Sequence, residues 1–385
     1  MAAGHPIVIV GSGLAGYNVA REFRKLNTST DLIIIADDAA DFYSKPMLSN
    51  ALAKNKMAHE LALADAEKMA IDLNAKILKH TRINKIDPDN YNISTSDNEL
   101  IEYSQLVLAL GASAIQLPIT GNAADKLLAV NDLASYADFR NAIADKKKIA
   151  IIGAGLIGCE FANDLALSDY DVFVLDLAEL PLNRLLPEQA GEYLKTALAE
   201  QGVNWYLGQK TKQINFTESV FKIDLESGIT FEVDVVLSAV GLRPNIQVAK
   251  EAGLEVNNGI VVNQNLATNK KDIFALGDCA EVEGLFLPFV MPLMNSARAI
   301  AKSLNGDMTE VIYPAMPVMV KTPSCPVVVA PPANGIEGEW IIKQDKNGVH
   351  AQYFDKAGKL CGFALVGKAV EDKQALTKEL PAVLA

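Results

Sequence analysis

The stretch GAGLIGCEFA, Gly153–Ala162, decides how this chain must be read, because a loop of the same kind, GSGLAG, already stands at Gly11–Gly16. A β-branched run precedes each loop, Ile7–Val10 before the first and Ile149–Ile152 before the second, and helically spaced apolar residues follow. Strand, glycine turn and helix in that order open a βαβ unit that binds a dinucleotide. The glycines serve a tight turn, close approach of backbone to a pyrophosphate, and close packing of helix on strand. The helix behind them aims free N–H groups and the positive end of its dipole at the phosphates. Candidates in the first loop are therefore Gly11, Gly13, Ala15 and Gly16, and in the second Gly153, Gly155 and Gly158.

Each unit continues into a second strand that ends in an acid. Leu32–Ile35 leads to Asp37 and its neighbour Asp38, and VFVLD ends at Asp176. A carboxylate at that place accepts hydrogen bonds from ribose hydroxyls. Asp176 would repel a 2′-phosphate, and the following LAELPLN offers no arginine to receive one, Arg184 lying beyond it. The second site is thus expected to prefer NADH to NADPH. A domain's length of chain separates the loops, so two domains are expected. Two sites imply a relay in which one dinucleotide brings electrons and the other holds them.

The 385 residues suffice for two or three domains. With 35 Lys+Arg against 47 Asp+Glu, the net charge of −12 argues against a nonspecific grip on nucleic acid or anionic lipid. No apolar run approaches the roughly 18 residues of a membrane span. MAAGHPIVIVGSG enters a strand with no leader before it, so a cytoplasmic location is expected. Cys159, Cys279, Cys325 and Cys361 lack CxxC or CxxxxC spacing, which points to packing thiols rather than a metal site or a redox disulfide.

Two further phrases resemble each other. YSQLVLALGASAIQLP reads as a buried strand stopping at Gly111, and DVVLSAVGLRPN carries Gly241; both are expected to cross between domains. In IFALGDCAEV, Ile273–Val282, a strand delivers Gly277 and Asp278 to a turn, where Asp278 can hydrogen-bond the alcohol chain of a flavin. Beyond Pro314, short β-rich runs broken by Pro and Gly lead to a helical tail near KAVEDKQALTKELP, a third, α+β, domain.

The order GSGLAG, LVLALGA, GAGLIGCEFA, VGLRPN, ALGDCAE resembles the two-dinucleotide-binding FAD/NAD(P)H flavoprotein oxidoreductase family over residues 1 to about 305. The resemblance implies an α/β fold of two Rossmann-like domains, the NAD domain inserted in the FAD domain, plus a C-terminal α+β domain. The expected parts are residues 1–117 and 244–313 for FAD, 118–243 for NADH, and 314–385 for the domain shaping the flavin mouth. The missing CxxxxC removes the disulfide-reductase branch. FYSKPMLSNALAKNK, MPLMNSARAIAKSL and PVMVKTPSCPVVVAPP instead resemble the branch that reduces small iron–sulfur or iron proteins. FAD and NADH are then the implied cofactors, and rubredoxin, taking one electron at a time, the implied acceptor. Ferredoxin or oxygen as acceptor, and an NADH-sensing flavoprotein without turnover, stay open. SKPMLSN lacks the cysteine that peroxide and oxygen reductases present, and Leu110 stands where the family often has a threonine.

The same resemblance places Lys45 and Pro46 beside the flavin, with Glu160 as counter-ion to Lys45 on the nicotinamide side. Hydride transfer between stacked rings needs orientation more than a strong acid or base. A helix opening at Pro292, a residue suited to a first turn, would point N–H groups at the negative edge of the reduced ring. Lys321, isolated in MPVMVKTPSCPVVV, is costly to bury unpaired and is expected against the flavin pyrimidine. An acidic acceptor gains no long-range attraction from an acidic reductase, so VKTPSCPVVVAPP is expected to form an apolar docking rim, with Val328 a candidate outward residue and little slowing by salt.

Overall fold

A computed structural model describes residues 4–385. The apolar runs Ile7–Val10 and Leu32–Ile35 become short, largely buried strands of one parallel sheet. Its order is Ile273–Ala275, Gln105–Leu108, Ile7–Val10, Leu32–Ile35, Lys76–Leu78. The second sheet repeats the plan with Val203–Tyr206, Asp171–Leu175, Lys148–Ile152 and Val235–Ser238, again all parallel. In both sheets the strand that feeds the glycine loop lies between the strand following it and one arriving much later in the chain. Each loop therefore emerges at the carboxyl edge where strand order reverses, the place open α/β sheets bind ligands.

The two look-alike phrases meet. Ala112–Ala114 pairs antiparallel with Leu242–Pro244, so Gly111 and Gly241 flank one two-stranded ribbon. Asn245 ties it further, its backbone N–H donating to the Gly111 carbonyl at 3.0 Å and its side chain to that of Leu110 at 2.8 Å. Two antiparallel three-stranded meanders, Ile83–Glu102 and Thr211–Val233, were not legible in the sequence. Lys, Asp and Glu on their outward positions dilute the apolar signal.

The C-terminal sheet is antiparallel, in the order Val318–Val320, Val327–Ala330, Leu360–Gly367, Gly348–Asp355, Gly338–Asp345. Alternation along Val327–Ala330 explains its burial. Val327 and Val329 join the core of the second parallel sheet, while Val328 and Ala330 join Phe363, Leu365 and Leu376 beneath the helix Lys373–Glu379. Both faces are covered, and Val328 is 4 % exposed. The expected apolar rim is corrected accordingly: its valines are core, and the salt behaviour inferred from them loses its basis.

The helix expected from Pro292 begins two residues earlier and spans Val290–Leu304. Pro292 still falls in the first turn, where a missing N–H costs nothing. Among the described residues no helix is long and apolar enough to cross a membrane. The burial of Val328 has a direct consequence. Val328→Glu should destabilise the protein by at least about 3 kcal/mol, by leaving an unpaired charge in the core. Urea unfolding would register this, whereas an unchanged midpoint would place the side chain outside.

Candidate active site

Both glycine loops have the geometry their spacing predicts. Gly11 has φ +113°, and a Cβ there would run into the Ala109 carbonyl; one on Gly16 would run into the carbonyl of Gly11. Gly153, at φ +110°, and Gly158 repeat this against the carbonyls of Ala239 and Gly153. The middle glycines differ, since Gly13 and Gly155 face open space. Each is also the N-cap of its helix, Leu14–Arg24 or Leu156–Ala166, with no side-chain cap and no acid in the first turn. By contrast, the helices Ala66–Leu73 and Leu133–Ile143 are capped by Asp65 and Asp132. The loops thus keep unsatisfied N–H groups, a positive dipole end and room for phosphate. These residues fit two dinucleotides. The Gly277–Asp278 turn lies against the first loop, where a Cβ on Gly277 would sit 3.1 Å from that of Ala15.

The acids reach the loops by different routes. Asp176 accepts from the Ala154 N–H at 2.5 Å and the Ala178 N–H at 2.8 Å. In the first unit Asp38 does the equivalent, accepting from Ser12 Oγ at 3.2 Å and the Ala40 N–H at 2.9 Å. Asp37 is exposed and makes no hydrogen bond among the described residues. Ala36 occupies the register that Asp176 fills in the second sheet, so in the first unit the acid must arrive from further along, met by the Ser12 hydroxyl.

Lys45 opens the short 3-10 helix Lys45–Asn50, with Pro46 in its first turn. Its ammonium lies 3.8 Å from Asp278 Oδ2. Desolvation pulls the Lys45 pKa below that of an ordinary lysine, opposed by Asp278 and Asp132. Glu160 is engaged elsewhere. Only 2 % exposed, it accepts from Ser49 Oγ, from the Lys321 ammonium, and from the Lys321 backbone N–H at 2.9 Å. The expected counter-ions are therefore corrected: Lys45 pairs with Asp278, and Glu160 with Lys321. The cause is the direction of the helix Leu156–Ala166, whose face bearing Glu160 turns toward Ser49 and the C-terminal segment. The Lys321 charge is met by that carboxylate.

Two neighbours on the same face were not anticipated. Asn163, fully buried, donates to Ser324 Oγ at 2.8 Å and accepts from the Ser324 N–H at 3.2 Å. Asp164 accepts from the N–H groups of Leu52 at 2.8 Å and Ala53 at 3.0 Å, while its burial drives its pKa upward against them. The signal available in the sequence was the spacing itself: Glu, Asn and Asp at i, i+3 and i+4 of an otherwise apolar helix. The four thiols are buried and unpaired. Burial pushes Cys279 up to about 12 and Cys325 up to about 11, so neither is a ready nucleophile.

Residues 5–301 match the family model of the pyridine nucleotide-disulphide oxidoreductases, and residues 310–380 match a rubredoxin binding C-terminal domain. The chain belongs to the pyridine nucleotide-disulphide oxidoreductase family. It is 47 % identical to a rubredoxin-NAD(+) reductase of Alcanivorax borkumensis, covering 99 % of this chain and 100 % of that one. A rubredoxin-NAD(+) reductase of Acinetobacter baylyi is 46 % identical over 97 % of this chain and 96 % of its own. In a solved covalent putidaredoxin reductase–putidaredoxin complex, a chain 26 % identical matches with a TM-score of 0.88, over 98 % of this chain and 94 % of its own.

The hold of Asp176 on the second loop bears on nucleotide choice. Asp176→Ser should lower the kcat/KM preference for NADH over NADPH by about tenfold, by removing a charge opposed to the 2′-phosphate. An unchanged ratio would mean that Asp176 serves only the loop backbone.

Proposed function

We propose that this chain is an FAD-dependent reductase that passes electrons from NADH, one at a time, to rubredoxin. The observation that carries this is where the C-terminal segment lands. Lys321–Ser324, inside the region matched to a rubredoxin binding domain, bonds to the helix that begins at the second glycine loop. The seat for the donor and the acceptor-side domain therefore share one helix. Full-length identity to two rubredoxin-NAD(+) reductases supports the choice of acceptor.

In this proposal residues 1–117 and 244–313 hold FAD and residues 118–243 hold NADH. Gly11, Gly13, Ala15 and Gly16 take the FAD pyrophosphate, and the Asp37–Asp38 pair its ribose. Asp278 takes the ribityl chain, and the first turn of Val290–Leu304, with Pro292, faces the ring. Gly153, Gly155, Gly158 and Asp176 receive NADH. Bound FAD supplies the conversion of a hydride into single electrons. Lys45 contributes charge: its ammonium, steadied by Asp278, sets a positive potential on the flavin side of the cleft. Glu160 and Lys321, neutralising each other, form the opposite wall without offering a free charge. A cytoplasmic location is part of the proposal and accords with four unpaired thiols and a soluble NADH donor.

Anaerobic turnover with NADH and rubredoxin, ferredoxin or peroxide, side by side, tests the acceptor. Rubredoxin should be reduced fastest. Fast ferredoxin turnover with inert rubredoxin would sink the assignment, and NADH binding without turnover on any acceptor would favour a sensor. The lowered Lys45 pKa gives a second expectation. Its charge is lost as pH rises, and at lower pH than the 10.5 of an ordinary lysine. Flavin reduction by NADH should therefore decline on an alkaline limb beginning below that pH. Lys45→Arg should remove the limb, and Lys45→Met should slow the step about tenfold at neutral pH with FAD retained. A limb that survives in Lys45→Arg would assign it to another group.

A further inference from the structure

Asn163 is a fully buried amide on a helix whose other buried polar side chains already have partners in the site. It makes a reciprocal pair with Ser324, donating through Nδ2 and accepting through Oδ1. Ser324 lies three residues past Lys321, and the chain between them is a tight turn closed by the Cys325 N–H donating to the Thr322 carbonyl at 2.9 Å. Thr322 returns its hydroxyl to the Cys325 carbonyl at 2.7 Å. The turn thus moves as a unit, and the unit is fastened to the helix at two places: Ser324 on Asn163 and Lys321 on Glu160. Lys321 has a long, flexible side chain and is itself partly exposed. Its two bonds to one carboxylate require that its backbone be held at the helix, since the Lys321 N–H is one of the two donors.

We propose that Asn163 is the positioning residue for the Glu160–Lys321 ion pair: by clamping Ser324 it holds the turn down so that backbone and ammonium of Lys321 both reach Glu160. This rests on the proposed function for its catalytic meaning, because the pair is assigned to the wall of the nicotinamide cleft there. The Asn163 side chain hydrogen-bonds Ser324 and neither member of the pair. Its effect must pass through the turn. Without it, the buried Glu160 carboxylate keeps Ser49 but faces a lysine free to swing into solvent, and a buried carboxylate short of donors is costly.

The test uses FAD-loaded, full-length protein. Amine-reactive labelling, read per lysine by mass spectrometry, should show Lys321 in Asn163→Ala labelled several-fold faster than in wild type, with Lys45 unchanged as internal control. Stopped-flow reduction of the flavin by NADH should slow about tenfold with the NADH dissociation constant unaltered. Lys321→Met should slow the same step, and adding Asn163→Ala to it should cost nothing more. Ser324→Ala should reproduce the Asn163→Ala labelling, and Ser324→Thr, which keeps the hydroxyl, should restore the wild-type pattern. Equal acceleration at all lysines would reduce Asn163 to general stability and overturn the proposal. So would additive losses in the double variant, which would leave the cleft assignment standing. If Lys321→Met leaves reduction by NADH unchanged, the cleft assignment fails and the catalytic meaning of Asn163 fails with it, while site-selective labelling would still report the clamp.

Discussion

Glu160, Asn163 and Asp164 lie on one face of the helix Leu156–Ala166, at 2 %, 0 % and 4 % exposure, where water cannot satisfy them. Buried polar groups of this kind are tolerated only when each finds partners of its own. Their partners come from two distant parts of the chain, Ser49–Ala53 and Lys321–Ser324. Each bond therefore fixes where a loop of the first unit and a turn of the C-terminal domain must sit relative to the second glycine loop. An apolar contact could have slid by an ångström without much penalty, whereas a buried carboxylate cannot. The assembly of three parts into one cleft depends on this face.

The same helix has two ends of different character, and that difference organises the chemistry. Its N-terminus is left uncapped at Gly155, with donors unsatisfied and space in front of them. One turn later its side is fully satisfied and closed. A helix that is hungry for an anion at its tip and saturated along its flank can receive a phosphate without loosening the domains it joins. The helix Leu14–Arg24 has the same bare tip but no such flank, its buried side packing chiefly against the helix Val290–Leu304 and beside it the first sheet. The two dinucleotide units are thus alike at the loop and differ in what the following helix binds.

Much of this could be read from the chain alone, for a definable reason. Gly16 and Gly158 answer to carbonyls five residues back, and Gly11 and Gly153 to their own positive φ, so GSGLAG and GAGLIG predicted their geometry, and continuous apolar runs located Ile7–Val10 and the strand that ends beside Asp176. Pairings between remote side chains carry no such local imprint. Lys45 could be expected near Glu160, but whether it met Glu160 or Asp278 depended on helix rotation. Asp37 and Asp38 stand side by side in sequence, and the choice was made by Ser12, on another loop. Val328 looked like a rim residue because its short apolar run is bracketed by Pro326 and Pro331. The strand Leu360–Gly367 that pairs beside it and the helix Lys373–Glu379 that covers its face lie far downstream.

The central claim is that the two glycine loops serve unlike nucleotides joined in one electron path, the first retaining FAD and the second exchanging NADH. An anaerobic titration of the purified, FAD-loaded protein with NADH, followed at the flavin absorbance, tests it most directly. The account predicts bleaching that is complete at one NADH per flavin. Saturable NADH binding that leaves the flavin oxidised would contradict it, as would a protein that retains no FAD.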